Sequence, residues 1–351
     1  MRPRLTALAL AVALSASLAH AQPPLVGSYK VLKAEKAGGD GGFDYVYADV
    51  ANRRLYVPRS GSTARIAVFD LDTFAPVGLI AGVNGHGAAV DAKSGHGFSS
   101  SKPIAMWDAR TLTPIKTIEV QGYPDGILAD AVSQRIFILS HIAPNVTAID
   151  AVDGSVIGTV DIGGAPEQAV TDGKGHLFVD VEDKDQIAVV DTKTMSVSAR
   201  FSLEGKCGTP AGLALDIKTH VLFAACRNPA VMAMINSDTG KILQVLPIGV
   251  GVDGAAFNPA TKEAFSSQGD GTLTIIKELS PTRFALEQTV ETKLGAKTLT
   301  LDTKTGHVVL ITAQFGPPPA TPQPAAQVGP PGRPRRGPMV PDSFSILVVG
   351  K

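Results

Sequence analysis

Cysteine is scarce: the 351 residues hold two, with no Cys-x-x-Cys-His for haem attachment and no Cys-x-x-Cys spacing for a metal. Aromatic residues make up only 5% of the chain, with one tryptophan. Neither sign of charge dominates, since 32 basic residues face 32 acidic ones, so the total carries no electrostatic footprint for nucleic acid. Beyond Leu18 no apolar run reaches 18 residues, which excludes a later membrane-spanning helix. The Gly-x-Ser-x-Gly elbow, the Walker sequence and His-Glu-x-x-His are absent as well. Gly85-His86-Gly87 and Gly269-Asp270-Gly271 read as turns, because no helix follows either. What is present in quantity is glycine (36) and proline (25), in a chain 44% hydrophobic. That balance suits many turns between close-packed strands.

The first residues stand apart. Arg2 and Arg4 precede an Ala/Leu-rich run from Leu5 to Leu18, and Ala19-His20-Ala21 offers a small-x-small cleavage site. This pattern predicts a secretory signal peptide over 1–21 and a mature single domain over 22–351, periplasmic or secreted. Removing the leader leaves 30 basic against 32 acidic residues.

The repeating unit of the mature chain is plainest between Gly122 and Ile162. Four short runs rich in β-branched residues are each bounded by Gly, Pro, Asp or Asn, which predicts a four-stranded antiparallel meander. So small a sheet cannot bury its own faces, and copies must stack. The residue closing the first strand recurs as Asp49, Asp91, Asp130, Asp172, Asp216, Asn258 and Asp302, at intervals of 39 to 44 residues. Seven positions later stands Tyr56, Phe98, Phe137, Phe223, Phe265 or Val309, with Phe178 one position early. Third strands end in Asp or Asn, followed three positions on by Thr73, Thr111, Thr194 or Thr239, which suits an Asx turn. Seven such units predict an all-β, seven-bladed β-propeller.

The chain ends predict how the ring closes. The seventh repeat has strands at Thr298–Asp302, His307–Thr312 and Phe344–Val349, then stops. An orphan strand at Ser28–Lys33 should complete that last blade and cover its edge. Cys207 and Cys226 fall opposite one another in the fifth repeat, so export predicts a structural disulfide between them; free thiols on a metal are the alternative.

Leu55-Tyr56-Val57, Ile136-Phe137-Ile138 and Leu177-Phe178-Val179 resemble the signatures of YVTN-repeat, YncE-like β-propellers of bacterial export pathways. The resemblance spans the mature chain and is strongest in Gly164–Glu167, Thr209–Asp216, Gly251–Asn258 and Gly269–Thr274. It implies the fold well and the function poorly; the family is similar to lactonase-type propellers and to propeller domains of periplasmic redox enzymes.

Propeller geometry places the residue five positions before each strand-closing Asp or Asn at the mouth of the central channel. In order these are Asp44, His86, Asp125, Glu167, Ala211, Asp253 and Lys297, six of them ionisable. This ring is the candidate binding site, with a divalent cation on Asp44, His86, Asp125 and Glu167 as one option. A water-filled polar funnel without a ligand is the other. Loops between second and third strands add a rim of Arg59, Lys102, His141, Glu182, Asp183, Arg227, Asn228, Gln268 and Asp270. His96, His176, His220 and His307 fall in turns on the opposite face. A Pro/Arg-rich insertion at about 316–342 belongs to the rim loops and reads as a lid, a partner-binding arm or a tolerated surface insertion. The expected function is a non-catalytic binding or scaffold propeller, acting as a monomer, that holds a small polar ligand, a metal or a partner segment. The alternative is a metal-dependent lactonase-like hydrolase on the same face, which Lys297 argues against by repelling a cation.

Overall fold

The computed structural model describes residues 28–317 and 337–351. The predicted leader and the middle of the 316–342 insertion lie outside the described residues. The unit read at 122–162 forms four antiparallel strands, Tyr123–Asp130, Arg135–Ile142, Asn145–Asp150 and Val156–Asp161, paired in sequence order. Seven four-stranded sheets of this kind make the fold. Their first strands (Tyr47–Asp49, Gly85–Asp91, Tyr123–Asp130, Pro166–Thr171, Gly208–Asp216, Val252–Asn258 and Leu299–Asp302) pack side by side around the axis. We number the blades one to seven in that order. The one helical turn among the described residues is a short 3-10 segment at Glu182–Lys184.

The recurring acid or amide acts locally. Each closing residue accepts a backbone N–H in the turn to the second strand, as Asp91 does from Ser94 (2.8 Å), Asp172 from Lys174 (2.7 Å) and Asp302 from Lys304 (3.1 Å). The third-strand Asx turns form as read: Asp70, Asp108, Asp191 and Asn236 accept the N–H of Thr73, Thr111, Thr194 and Thr239 at 2.7–2.9 Å. These bonds satisfy backbone groups that every blade would otherwise leave open.

The core lies between blades. Side chains alternate across each strand, so Leu55 and Val57 pack toward blade seven while Tyr56 packs toward blade two. Seven apolar clusters result, one per junction. The single tryptophan, Trp107, is fully buried opposite Gly97, where a Cβ would stand 2.2 Å from the indole ring.

Blade seven closes as predicted, with small shifts in strand ends. Leu299–Asp302, His307–Thr312 and Ser345–Gly350 are joined on the outside by Lys30–Lys36, antiparallel to Ser345–Gly350. The N-terminal strand thus begins two residues later than read and ends three later. Just before it, the Tyr29 hydroxyl donates to Glu263 (2.5 Å), and its backbone exchanges two bonds with the Gln288 amide. The Cys207–Cys226 disulfide is present and buried, with Cα atoms 5.3 Å apart.

Candidate binding site at the channel mouth

The ring register gathers the expected residues. Asp44 lies 3.1 Å from His86 Nδ1, and the same nitrogen lies 3.2 Å from Asp125 Oδ1. Asp125 Oδ2 is 3.3 Å from His141 Nδ1, which stands 3.8 Å from Glu167. His141 Nε2 is 3.8 Å from Glu182. Arg227 then contacts Glu182, Asp253 and Glu167, the last at 3.5 Å. Lys297 contacts Asp253 and lies 3.2 Å from Asp44, which completes the circle. Acids and bases alternate around the whole mouth.

The fifth ring position is Ala211, and no polar group comes from it. Arg227, from the end of the second strand of the same blade, reaches into that gap. It belongs to the ring rather than to the rim. His141 and Glu182 move inward in the same way. The remaining rim residues do other things. Arg59 is a correction: its side chain is buried, stacked 4.0 Å from the Phe344 ring, and it donates to the carbonyls of Gly38 and Gly41. Gln268 is also buried, bonded to Ser266, Thr272 and Thr274, because the second strand of blade six runs through it. Asp183 and Asp270 accept the N–H groups of Ala165 (2.8 Å) and Val250 (2.6 Å), holding neighbouring loops. Lys102 donates to the Gly122 carbonyl at 2.6 Å. Asn228 is exposed at the end of its strand. On the opposite face, His176 pairs with Asp172 in its own turn, and His220 pairs with Asp238 of the turn that follows the third strand of the same blade.

Burial divides the circle into two arcs. Glu167, Glu182, Arg227 and Asp253 have side chains 15% exposed or less, whereas His86 and His141 are 48% and 33% exposed. Burial, then the charges of Asp125 and Glu182, push the Glu167 carboxyl up to about 8 against the pull of Arg227. Burial would raise Asp44 too, but Lys297 and His86 outweigh it and hold that carboxyl well below the usual range. The hydrogen bond to Asp44, helped by the Asp125 charge, raises His86 despite its burial. Glu167 is raised because it is buried and Arg227 lies 3.5 Å away, too far to offset burial and the neighbouring acids.

Two further residues escaped the register, each one position after a ring residue. Tyr45 donates its hydroxyl to the Glu167 carbonyl (3.0 Å), which carries it from blade one across to blade four. Gln168 accepts from the N–H groups of Leu213 (2.9 Å) and Ala255 (3.1 Å). Both line a cavity of about 220 Å³ inside the ring of first strands, whose other walls include Ala88, Ala129, Ala169 and Ala255. The polar mouth thus opens onto a mostly apolar, partly bridged channel. Alternation along the first strands was the only sequence signal for these positions.

The donor set suits a divalent cation. Imidazole and carboxylate are ligands for ions such as Zn²⁺ or Mn²⁺, and two triads, Asp44/His86/Asp125 and Asp125/His141/Glu167, each bring their ligand atoms within 4.8 Å. Lys297 and Arg227 meet at Asp253, and each also touches one triad acid, Lys297 at 3.2 Å from Asp44 and Arg227 at 3.5 Å from Glu167. Among the described residues, no helix is long and apolar enough to cross a membrane.

No protein-family model and no curated protein matches the chain. Among solved structures, it is similar to a chain of the mitotic checkpoint complex crystal structure at 11% identity and TM-score 0.69, covering 88% of this chain and 96% of that one. It is similar to U3-55K at 12% identity and TM-score 0.68, over 93% of this chain and 99% of that one. At such identities the likeness is one of fold: the chain is a seven-bladed β-propeller similar to those of WD40-type proteins.

Proposed function

We propose that this chain is an exported, YVTN/YncE-like binding propeller that captures a cationic group at its channel mouth, either a divalent metal ion or the ammonium of a small polar ligand. The single observation behind this reading is the distribution of charge. Five carboxylates (Asp44, Asp125, Glu167, Glu182 and Asp253) face two permanent cations: Arg227 is engaged with Glu167, Glu182 and Asp253, Lys297 with Asp253 and Asp44, and neither contacts Asp125. The more exposed arc, from Asp44 through His86 and Asp125 to His141, presents carboxylates and imidazoles to solvent. An anionic ligand would meet acids there; a cation meets convergent donors. Export is supported by the leader pattern at 1–21 and by the disulfide, which an oxidising compartment maintains. The near-neutral mature chain offers nucleic acid no basic surface in its net balance.

The test is calorimetric titration of the chelator-treated mature protein with Mn²⁺, Zn²⁺, Ca²⁺ and small amines at low ionic strength. Asp125→Asn should weaken cation binding at least tenfold while thermal stability holds. Unchanged affinity in that variant, or binding of anions alone, overturns the reading. Cation-dependent opening of a lactone, lost in the same variant, would transfer the site to the hydrolase class.

A further inference from the structure

We propose that the mouth holds two divalent cations side by side, bridged by Asp125: Asp44, His86 and Asp125 Oδ1 take one, and Asp125 Oδ2, His141 and Glu167 take the other. This deepens the cation reading above and rests on it.

The bridging residue carries the argument. Its two oxygens point to different histidines, Oδ1 lying 3.2 Å from His86 and Oδ2 lying 3.3 Å from His141. A monodentate site would need only one of them. The other histidine–carboxylate edges are 3.1 Å (Asp44 to His86) and 3.8 Å (His141 to Glu167), and the acid-to-acid edge that closes each triad lies within 4.8 Å. Ligands about 2.0–2.2 Å from a common ion lie roughly 3.0–3.5 Å from one another, so three of the four histidine–carboxylate edges fit as they stand. The fourth needs a small side-chain movement.

Hydrogen bonding alone leaves the cluster incomplete. His86 Nδ1 faces two carboxylate oxygens and carries at most one proton. That proton serves Asp44, and Asp125 Oδ1 is a buried atom without a hydrogen-bond partner. His141 Nδ1 likewise faces both Asp125 and Glu167. Buried acceptors seldom stay unsatisfied, and an ion in each triangle would satisfy all three ligands at once. A carboxylate shared in this way is a common means of holding two ions about 3.5–4 Å apart. Charge points the same way: the carboxylates of the mouth outnumber Arg227 and Lys297, and a divalent ion beside Glu167 would favour its ionised form. Nitrogen and oxygen donors without thiolate or thioether favour Mn²⁺, Co²⁺, Ni²⁺ or Zn²⁺ over soft ions.

Mn²⁺ is the probe of choice, because a bridged pair is magnetically coupled. Equilibrium dialysis of the chelator-treated mature protein should end at two Mn²⁺ per chain, and the six-line electron paramagnetic resonance signal should broaden as the second ion enters. His86→Ala and His141→Ala should each retain one uncoupled ion, and Asp125→Asn should weaken both at least tenfold. Thermal melting of the three variants should match the wild type, since none of these residues belongs to a core between blades. A single Mn²⁺, or two uncoupled ones, overturns the pair and leaves the cation reading standing. Amine binding without any metal does the same. Binding of neither removes both.

Discussion

Arg59 shows how far a residue's role can depart from its place in a repeat. By register it belongs to the rim, yet its guanidinium lies over Phe344, and burial lowers it to about 10. It ties the segment before blade one to blade seven. Arg59→Met, which keeps the bulk and removes the donors, should cost about 1–3 kcal/mol in urea unfolding and leave cation binding at the mouth unchanged. Loss of binding at full stability would return Arg59 to the rim. Glu278 makes a second case, far from the mouth. Burial, reinforced by the Asp216 charge, pushes its carboxyl up to about 7. A raised carboxyl binds a proton more tightly folded than unfolded. Its contribution is therefore whole below the unfolded value near 4.5 and is lost as pH rises toward 7 and beyond. Glu278→Gln should flatten the decline in stability between pH 5 and 8 by on the order of 2–3 kcal/mol, read from unfolding curves at the two pH values.

Single strands and turns were the most legible elements. Period-two apolar patterning marks a strand's middle wherever the fold later buries it, and an Asp or Asn that bonds its own turn is a local signal. Strand ends are less so: Lys30–Lys36 and Ser345–Gly350 differ from their readings by one to three residues. Where pairing stops depends on the neighbouring strand and not on the residues themselves. The hairpin of blade five adds a covalent tie, since Cys207 and Cys226 are 19 residues apart. Closing a loop of that length restricts the unfolded chain. The double variant Cys207→Ser with Cys226→Ser should lose about 3 kcal/mol in non-reducing urea titration. An unchanged midpoint would show that blade packing alone holds this hairpin.

The whole ring depends on contacts between its two ends. Lys30–Lys36 pairs with Ser345–Gly350, while Lys351 reaches Glu263 at 2.7 Å beside the Tyr29 hydroxyl. Deleting 28–36 would expose the Ser345–Gly350 edge and remove the Tyr29 contacts with blade six. The deletion should lower the melting temperature by at least 10 °C and promote association through the bare edge, seen by light scattering. A truncated protein that melts with the intact one would mean that closure contributes nothing to stability.

The sequence by itself determined the number of blades, the register and the seven positions at the mouth, because alternation, turn-capping residues and a period near 42 are local and repeat. It also placed Cys207 opposite Cys226, since a hairpin sets that pairing. Only the tertiary structure decided which ionisable groups meet. Arg227 fills the gap above Ala211 because blades four, five and six converge there, bringing Glu182, Glu167 and Asp253 within reach of one guanidinium. The same convergence buries Glu167 while leaving His86 half exposed. Register specifies where a side chain starts; the packing of neighbouring blades sets where it ends, how much solvent it keeps and which charge it faces.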